Sequence, residues 1–369
     1  MRIDGTIREL RRCAAGIEAE WKKHDHKYEA FPDIVLKNTE SLDARPLGDL
    51  ESLCALLNDP EIAALQATNT FSDLYVKLFD NGQFWIEVLN WWNSDINIHD
   101  HDFAAVQFQA RGRSLNVKYE FSQELEIDEV RFGDLRVVGS EMWNENGRSI
   151  TMPGSPHTVK HLSVPTVSVL IRTHPNAKYG FQHNYFPPGV VGNYQVANIV
   201  FRKNIKALRL LSRGESDVFH SAFRSFISKQ NLAGALFTFI KMIDIVFDER
   251  HVNLIRDYAA DGKEVKQRVI EAVAYYRATD ILLKRVSESD RLPEHDIAFL
   301  AVLACSYDPE SFSAIVNDLY GINSERRVTA ALHDLTARLH DEEVRHLKNT
   351  MELLGLRREW RDLLEPAKA

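Results

Sequence analysis

Cysteine is scarce in this chain. Cys13, Cys54 and Cys305 are the whole complement of 369 residues, odd in number and far apart. That excludes a disulfide framework, a zinc knuckle built on paired cysteines and a redox dithiol, and it suits reduced thiols in a cytoplasmic protein. A long apolar run is also missing. The opening stretch MRIDGTIRELRRCAAGIEAEW mixes charges throughout, unlike a secretion signal, and no segment approaches the roughly 20 apolar residues that cross a bilayer. The strongest candidate, ALFTFIKMIDIVF at 235–247, is short and carries Lys241 and Asp244, so it predicts a buried helix. Basic excess is absent too: the formal net charge is −8, which offers no general field for nucleic acid or an anionic membrane. No basic helix-turn-helix face stands out, so neither nucleic acid nor membrane is an expected partner.

What is present is the composition of a globular protein, 44% hydrophobic and 27% charged, in a chain long enough for more than one core. Residues 8–21 and 48–57 carry apolar positions at three- and four-residue spacing and predict short helices. From about Leu74 the pattern turns to short segments rich in Val, Ile, Phe, Tyr and Trp, separated by Asn-Gly, Gly and Pro signals. About ten such segments predict a small barrel or jelly roll. After an ambiguous run, YQVANIVF at 194–201, strand signals stop and helical spacing continues to about 365, with Asp308-Pro309 reading as an N-cap followed by a first-turn proline. The expected fold is therefore α+β, in three segments: N-terminal helices over 1–70 packed on a barrel over 71–195, and an irregular all-α bundle over 196–369.

One segment of the predicted barrel carries chemistry. In HDHDFAAVQFQARG, residues 99, 101, 105, 107 and 109 project to one face if the segment is a strand, so His99 and His101 reach one point. A second segment, GRSITMPGSPHTVKHLS at 147–163, delivers His157 just after a Pro-Gly turn. Three neutral imidazoles with open positions suit iron, copper or nickel, or zinc with a bound water. The pair His24 and His26 lies in a polar, lysine-flanked stretch and is assigned to solvent.

The spacing HxH, three residues, an acidic position, six residues and glycine resembles the first motif of the cupin superfamily, on which His99, His101, Ala105 and Gly112 fall. Gly147, Pro153 and His157 approximate its second motif, with one residue fewer before the histidine and with His161 where asparagine is common. The stretch at 75–102 is similar to the segment that precedes the metal strand in cysteine dioxygenases, and the likeness covers roughly 45–185. It implies a cupin barrel with one Fe(II) held by His99, His101 and His157, dioxygen as co-substrate, and no glutamate ligand because that position is Ala105. The family's carboxylate-binding arginine falls on Lys77. Of its Ser-His-Tyr triad only the serine is matched, by Ser168, since Leu170 and Arg172 occupy the other places.

Other residues have two readings each. Gln107 either orients a substrate or satisfies polar groups in the barrel. Arg172, in phase with Ser168, is a carboxylate clamp or a surface ion pair. His161 holds another group by a hydrogen bond, acts as acid or base, or fills the asparagine place. Tyr185 and His183, on the loop 174–189, reach the metal or pack as a linker, and Tyr185 is taken as a substrate contact. Trp91, Trp92 and Phe103 read as wall and core, and HDEEVRHLKN at 340–349 as a solvated helix face. The leading expectation is an Fe(II)-dependent oxygenase or oxidase for a small polar substrate, thiol-containing amino acids first. The competing expectations are a redox-neutral metal isomerase or hydrolase, and a ligand sensor. The helical half is expected to serve as a lid, a homodimer arm or a docking surface for a protein partner.

Overall fold

The computed structural model describes residues 3–66, 72–92, 97–180, 182–193, 199–288 and 292–364, without the side chains of 280, 281 and 283–288. The fold is α+β: N-terminal helices, a jelly-roll barrel, then a helical segment. The strands are β1 (Leu74–Asp80), β2 (Phe84–Trp91), β3 (Ile98–His99), β4 (Ala105–Arg111), β5 (Ser114–Ile127), β6 (Val130–Trp143), β7 (Arg148–Thr151), β8 (His157–His161), β9 (Thr166–Thr173), β10 (Asn184–Phe186) and β11 (Val190–Gly192). One sheet has the order β1-β2-β9-β4-β7, and the other runs β10-β11-β6-β5-β8-β3.

Turn chemistry fixes the register. Asn81 Oδ1 accepts from the backbone N–H groups of Gln83 and Phe84, and Gly82 takes φ +79°, which closes the β1–β2 hairpin that the Asn-Gly pair predicts. The motif glycine, Gly112, turns β4 into β5 at φ +74°, and a Cβ there would lie 2.4 Å from Ser163 Oγ. Spacing therefore holds a glycine at this point for steric reasons, independent of any ligand.

Each sheet buries its outer face under helices. The N-terminal helices α1 (Ile3–Lys23), α2 (Phe31–Asn38), α3 (Leu50–Leu56) and α4 (Pro60–Ala64) cover the five-stranded sheet. Leu10, Ala14, Ile17 and Trp21 of α1 share a core with Ile86, Val88, Val106, Phe108 and Val169. After residue 198 come α5 (Ile199–Leu211), α6 (Ser216–Ile227), α7 (Leu232–Lys241), α8 (Ile243–Val246), α9 (Val252–Ala259), α10 (Glu264–Glu288), α11 (Glu294–Cys305), α12 (Pro309–Tyr320), α13 (Ser324–Arg338), α14 (Asp341–Leu353) and α15 (Arg358–Asp362). The buried helix expected at 235–247 is two helices, α7 and α8, with Met242 buried at the break. Asp308 caps α12 through Ser311 N–H at 2.7 Å, with Pro309 in the first turn.

The helical segment packs against the second sheet. Leu115, Val117, Tyr119 and Leu135 lie in one core with Phe299, Val302, Phe312 and Ile315. Tyr119 Oη donates to Cys305 O at 2.9 Å, and Tyr307 Oη donates to Leu135 O. Most of the ambiguous run at 194–201 lies outside the described residues; Ile199 onward is helical. Among the described residues no helix is long and apolar enough to cross a membrane.

Candidate metal centre

Strand register stacks the inward residues in rows. Trp85 pairs Arg172, Arg172 pairs Ala105 and Ala105 pairs Thr151 on one sheet; opposite them His99 pairs His157, and His157 pairs Lys118. The next row holds Glu87, Leu170, Gln107 and Ser149, facing Val159 and Asn116. The third holds Leu89, Ser168 and Gln109, facing His161 and Ser114. Between the sheets lies a cavity of about 320 Å³, whose wall includes His99, His101, His157, Gln107, His161, Ser168 and Arg172.

His101 joins His99 and His157 of the first row, and the three imidazoles converge. One ring nitrogen from each of His99, His101 and His157 lies within 4.8 Å of the others, and the ring centroids are 4.6, 4.9 and 5.1 Å apart. His99 Nδ1 donates to Asn97 O at 2.8 Å and His157 Nδ1 donates to Ser155 O at 3.2 Å. A carbonyl can only accept, so in each neutral ring Nε2 is the nitrogen that carries the lone pair, which is what a metal ligand needs. His101 stacks on Phe103 at 4.3 Å, which fixes its plane. Burial lowers the pKa of all three, to about 3 for His157, so the rings are neutral at physiological pH. Buried, neutral, mutually facing imidazoles with two tautomers already set are a donor set that fits a divalent transition metal.

The route by which the chain brings them together differs from the sequence expectation. Residues 99 to 109 are not one strand. β3 ends at His99 in the second sheet and β4 begins at Ala105 in the first, so His101 sits on the crossing between them. Asp100 holds that crossing. Its carboxylate accepts from His183 N–H at 2.6 Å, His183 Nδ1 at 3.1 Å and Tyr185 Oη at 2.8 Å, and those contacts keep it ionised against the cost of burial.

The second feature is a buried charge pair beside the triad. Arg172 lies over the rings of Trp85 at 3.9 Å and Phe103 at 4.1 Å, and its Nε is 3.0 Å from Glu87 Oε1. Burial pulls the guanidinium pKa down and the Glu87 charge opposes that. The other Glu87 oxygen accepts from Trp85 Nε1. Because Ala105 stands beside Arg172 in the row, the place where the cupin motif carries an acid is small and apolar, and the nearest strand neighbour on that side is a cation. Glu87 was missed by sequence reasoning; the signal was a lone acid at inward phase in the wholly buried strand FWIEVLNW.

Two predicted contacts fall elsewhere. Lys77 does not line the cavity: its Nζ pairs with Asp80 at 2.7 Å and lies 4.5 Å from the Trp85 ring centroid, because the acid three residues on captures it first. Tyr185 is also off the wall, turned outward into the core under the helices with its hydroxyl spent on Asp100. Gln107 lines the cavity and makes no hydrogen bond to the described residues, whereas Ser168 Oγ accepts from Trp91 Nε1 at 3.3 Å. Trp91 and Phe103 are cavity wall, and Trp92 is exposed.

No family model matches this chain, and no curated protein does. Solved structures match over about a third of this chain. The hydroquinone 1,2-dioxygenase from Sphingomonas sp. TTNP3 is 9% identical over 29% of this chain and 70% of its own, with a TM-score of 0.24. The DMSP lyase DddQ from Ruegeria pomeroyi DSS-3 is 11% identical over 36% of this chain and 62% of its own, TM-score 0.22, so the match spans under two thirds of that protein. A cupin superfamily protein from Desulfitobacterium hafniense DCB-2 is 8% identical over 31% of this chain and 88% of its own, TM-score 0.20. The class that fold and site define, a jelly-roll barrel with three convergent histidines, rests on the strand order and ring geometry above.

Proposed function

We propose that this protein is a mononuclear non-haem metal enzyme, an Fe(II)-dependent oxygenase or oxidase resembling the thiol dioxygenases, acting on a small substrate that carries an anionic group. The observation that carries the reading is the convergence of His99, His101 and His157 into a group that no carboxylate joins among the described residues, with the Arg172 guanidinium paired to Glu87 beside it. Bound Fe(II) supplies the one-electron chemistry that lets dioxygen react with a closed-shell substrate.

The chain's own residues supply binding and orientation. His99 and His157 are held by backbone carbonyls, so the donor set is formed before the metal arrives. Arg172 binds the substrate's anionic group, while its two aromatic faces and Glu87 keep the guanidinium in one place. Gln107, in the middle row, offers an amide to the substrate. Phe103, Leu89, Val159 and Leu170 give the cavity its apolar wall. With Lys77 neutralised by Asp80, the anion site differs from the one the cysteine dioxygenase likeness implies.

The test is metal analysis of protein purified without chelators, followed by Fe(II) reconstitution and an oxygen electrode with a panel of thiol amino acids and mercaptocarboxylates. Stoichiometric iron and oxygen uptake that His99→Ala abolishes are expected. Absence of any bound or reconstitutable metal would sink the reading. Turnover without oxygen uptake would replace it by the redox-neutral isomerase or hydrolase reading.

A further inference from the structure

The cavity holds a fourth histidine, His161, and its hydrogen bonds set it up differently from the other three. It is 6% exposed, stacks on Trp91 with centroids 4.9 Å apart and planes 25° off parallel, and lines the cavity in the third row. Its Nδ1 lies 3.0 Å from Ser114 Oγ. Its Nε2 is buried and has no partner among the described residues.

Counting protons around Ser114 fixes which nitrogen of His161 is protonated. Gln109 Nε2 donates to Arg111 O at 3.0 Å and to Ser114 Oγ at 3.3 Å; the carbonyl at Arg111 holds the amide in that orientation. Ser114 is fully buried, so its single hydroxyl proton needs an acceptor, and His161 Nδ1 is the one within reach among the described residues. Ser114 therefore donates and Nδ1 accepts. Burial keeps the ring neutral, so its one proton sits on Nε2. His99 and His157 have their protons on Nδ1 and present lone pairs; His161 has the opposite tautomer and presents an N–H.

We propose that His161 is a preset neutral hydrogen-bond donor that binds the tail of the ligand, and that the ligand has a metal-binding head, an apolar body of about six carbons and a neutral oxygen acceptor at its far end. The proposal rests on the metal-centre reading given above and adds the substrate's length and tail chemistry. His157 and His161 are on one face of β8, four residues apart, a separation of roughly 13 Å. A metal–sulfur bond of about 2.3 Å and a hydrogen bond of about 2.9 Å leave roughly 8 Å between head and tail atoms. Val159 and Leu170 of the middle row and Leu89 beside His161 give a carbon chain an apolar wall, with Gln107 at its side and Glu87 already held by Arg172 and Trp85. A tail carboxylate would lose its hydration with no cation among the described residues that line the cavity in this row; a hydroxyl, amide or carbonyl loses little.

Two measurements test this. In metal-free protein, ¹⁵N chemical shifts of labelled histidine, assigned with His161→Phe, read the tautomer: a proton on Nε2 is expected, and a proton on Nδ1 overturns the proposal whatever the metal centre does. In Co(II)-substituted protein, the thiolate-to-cobalt absorption band is titrated with 6-mercapto-1-hexanol, 1-heptanethiol and 3-mercapto-1-propanol. The hexanol should bind at least tenfold more tightly than heptanethiol, and His161→Phe should erase that ratio while leaving the propanol unchanged. A ratio within twofold, or one that survives in His161→Phe, overturns it. Cobalt that does not bind at all would instead sink the metal-centre reading.

Discussion

Arg172 and Glu87 allow stability and ligand binding to be separated in one experiment. Their side chains are 15% and 4% exposed, so Arg172→Met strands a buried carboxylate without its cation, held by the Trp85 N–H and the Tyr75 hydroxyl alone among the described residues. Removing one partner of such a pair costs about 3–5 kcal/mol, whereas replacing both costs little or stabilises. The lost stacking on Trp85 and Phe103 adds on the order of 1 kcal/mol, part of which the methionine restores. Arg172→Met alone should therefore unfold at a markedly lower urea concentration, and Arg172→Met with Glu87→Gln should return to within about 1 kcal/mol of the parent, a recovery of roughly 2–4 kcal/mol over the single variant. Anion binding should not return. In Co(II) protein the preference for 3-mercaptopropionate over 3-mercapto-1-propanol should fall about 100-fold in both variants, because the guanidinium is gone from each. A recovery below about 0.5 kcal/mol would refute the buried-pair argument. An unchanged preference in the stable double variant would refute Arg172 as the anion site.

Two further outcomes follow from the same geometry. His157 and His161 are held near pKa 3 by burial against 6.5 for the ordinary side chain, so in metal-free protein the unfolded state binds more protons between those values. Stability is then complete above about pH 6.5 and falls as pH drops through the window, by about 1.4 kcal/mol per imidazole at pH 5.5; urea midpoints at pH 7.5 and 5.5 check this, and an equal slope in His161→Phe would contradict it. At the motif glycine, Gly112→Ala places a Cβ 2.4 Å from Ser163 Oγ at φ +74°, and a loss of about 1–3 kcal/mol is expected in thermal melts, with loss under about 0.5 kcal/mol showing that the turn relaxes.

The change of pattern near Leu74, the strand-rich middle and the helical remainder were legible in the sequence because side-chain periodicity and turn residues are local signals. Asp308 capping α12 and the Asn81-Gly82 hairpin belong to the same kind, since each is settled within four residues. The two-histidine spacing and a third histidine after a turn were legible for that reason too. Direction across the barrel was not. Whether Lys77, Arg172 or Tyr185 meets the cavity depends on which neighbour captures each side chain, Asp80, Glu87 or Asp100, and on a chain crossing between sheets at 100–104 that strand parity cannot describe.

The sequence by itself determined the elements, the histidine set and the glycine that ends β4. Tertiary structure alone decided that the three rings face one another, that Arg172 stands beside Ala105, and that His161 carries its proton on the nitrogen opposite to the one protonated in His99 and His157. Those are matters of pairing between strands far apart in the chain, and of which buried proton has an acceptor within 3 Å, neither of which a one-dimensional pattern encodes.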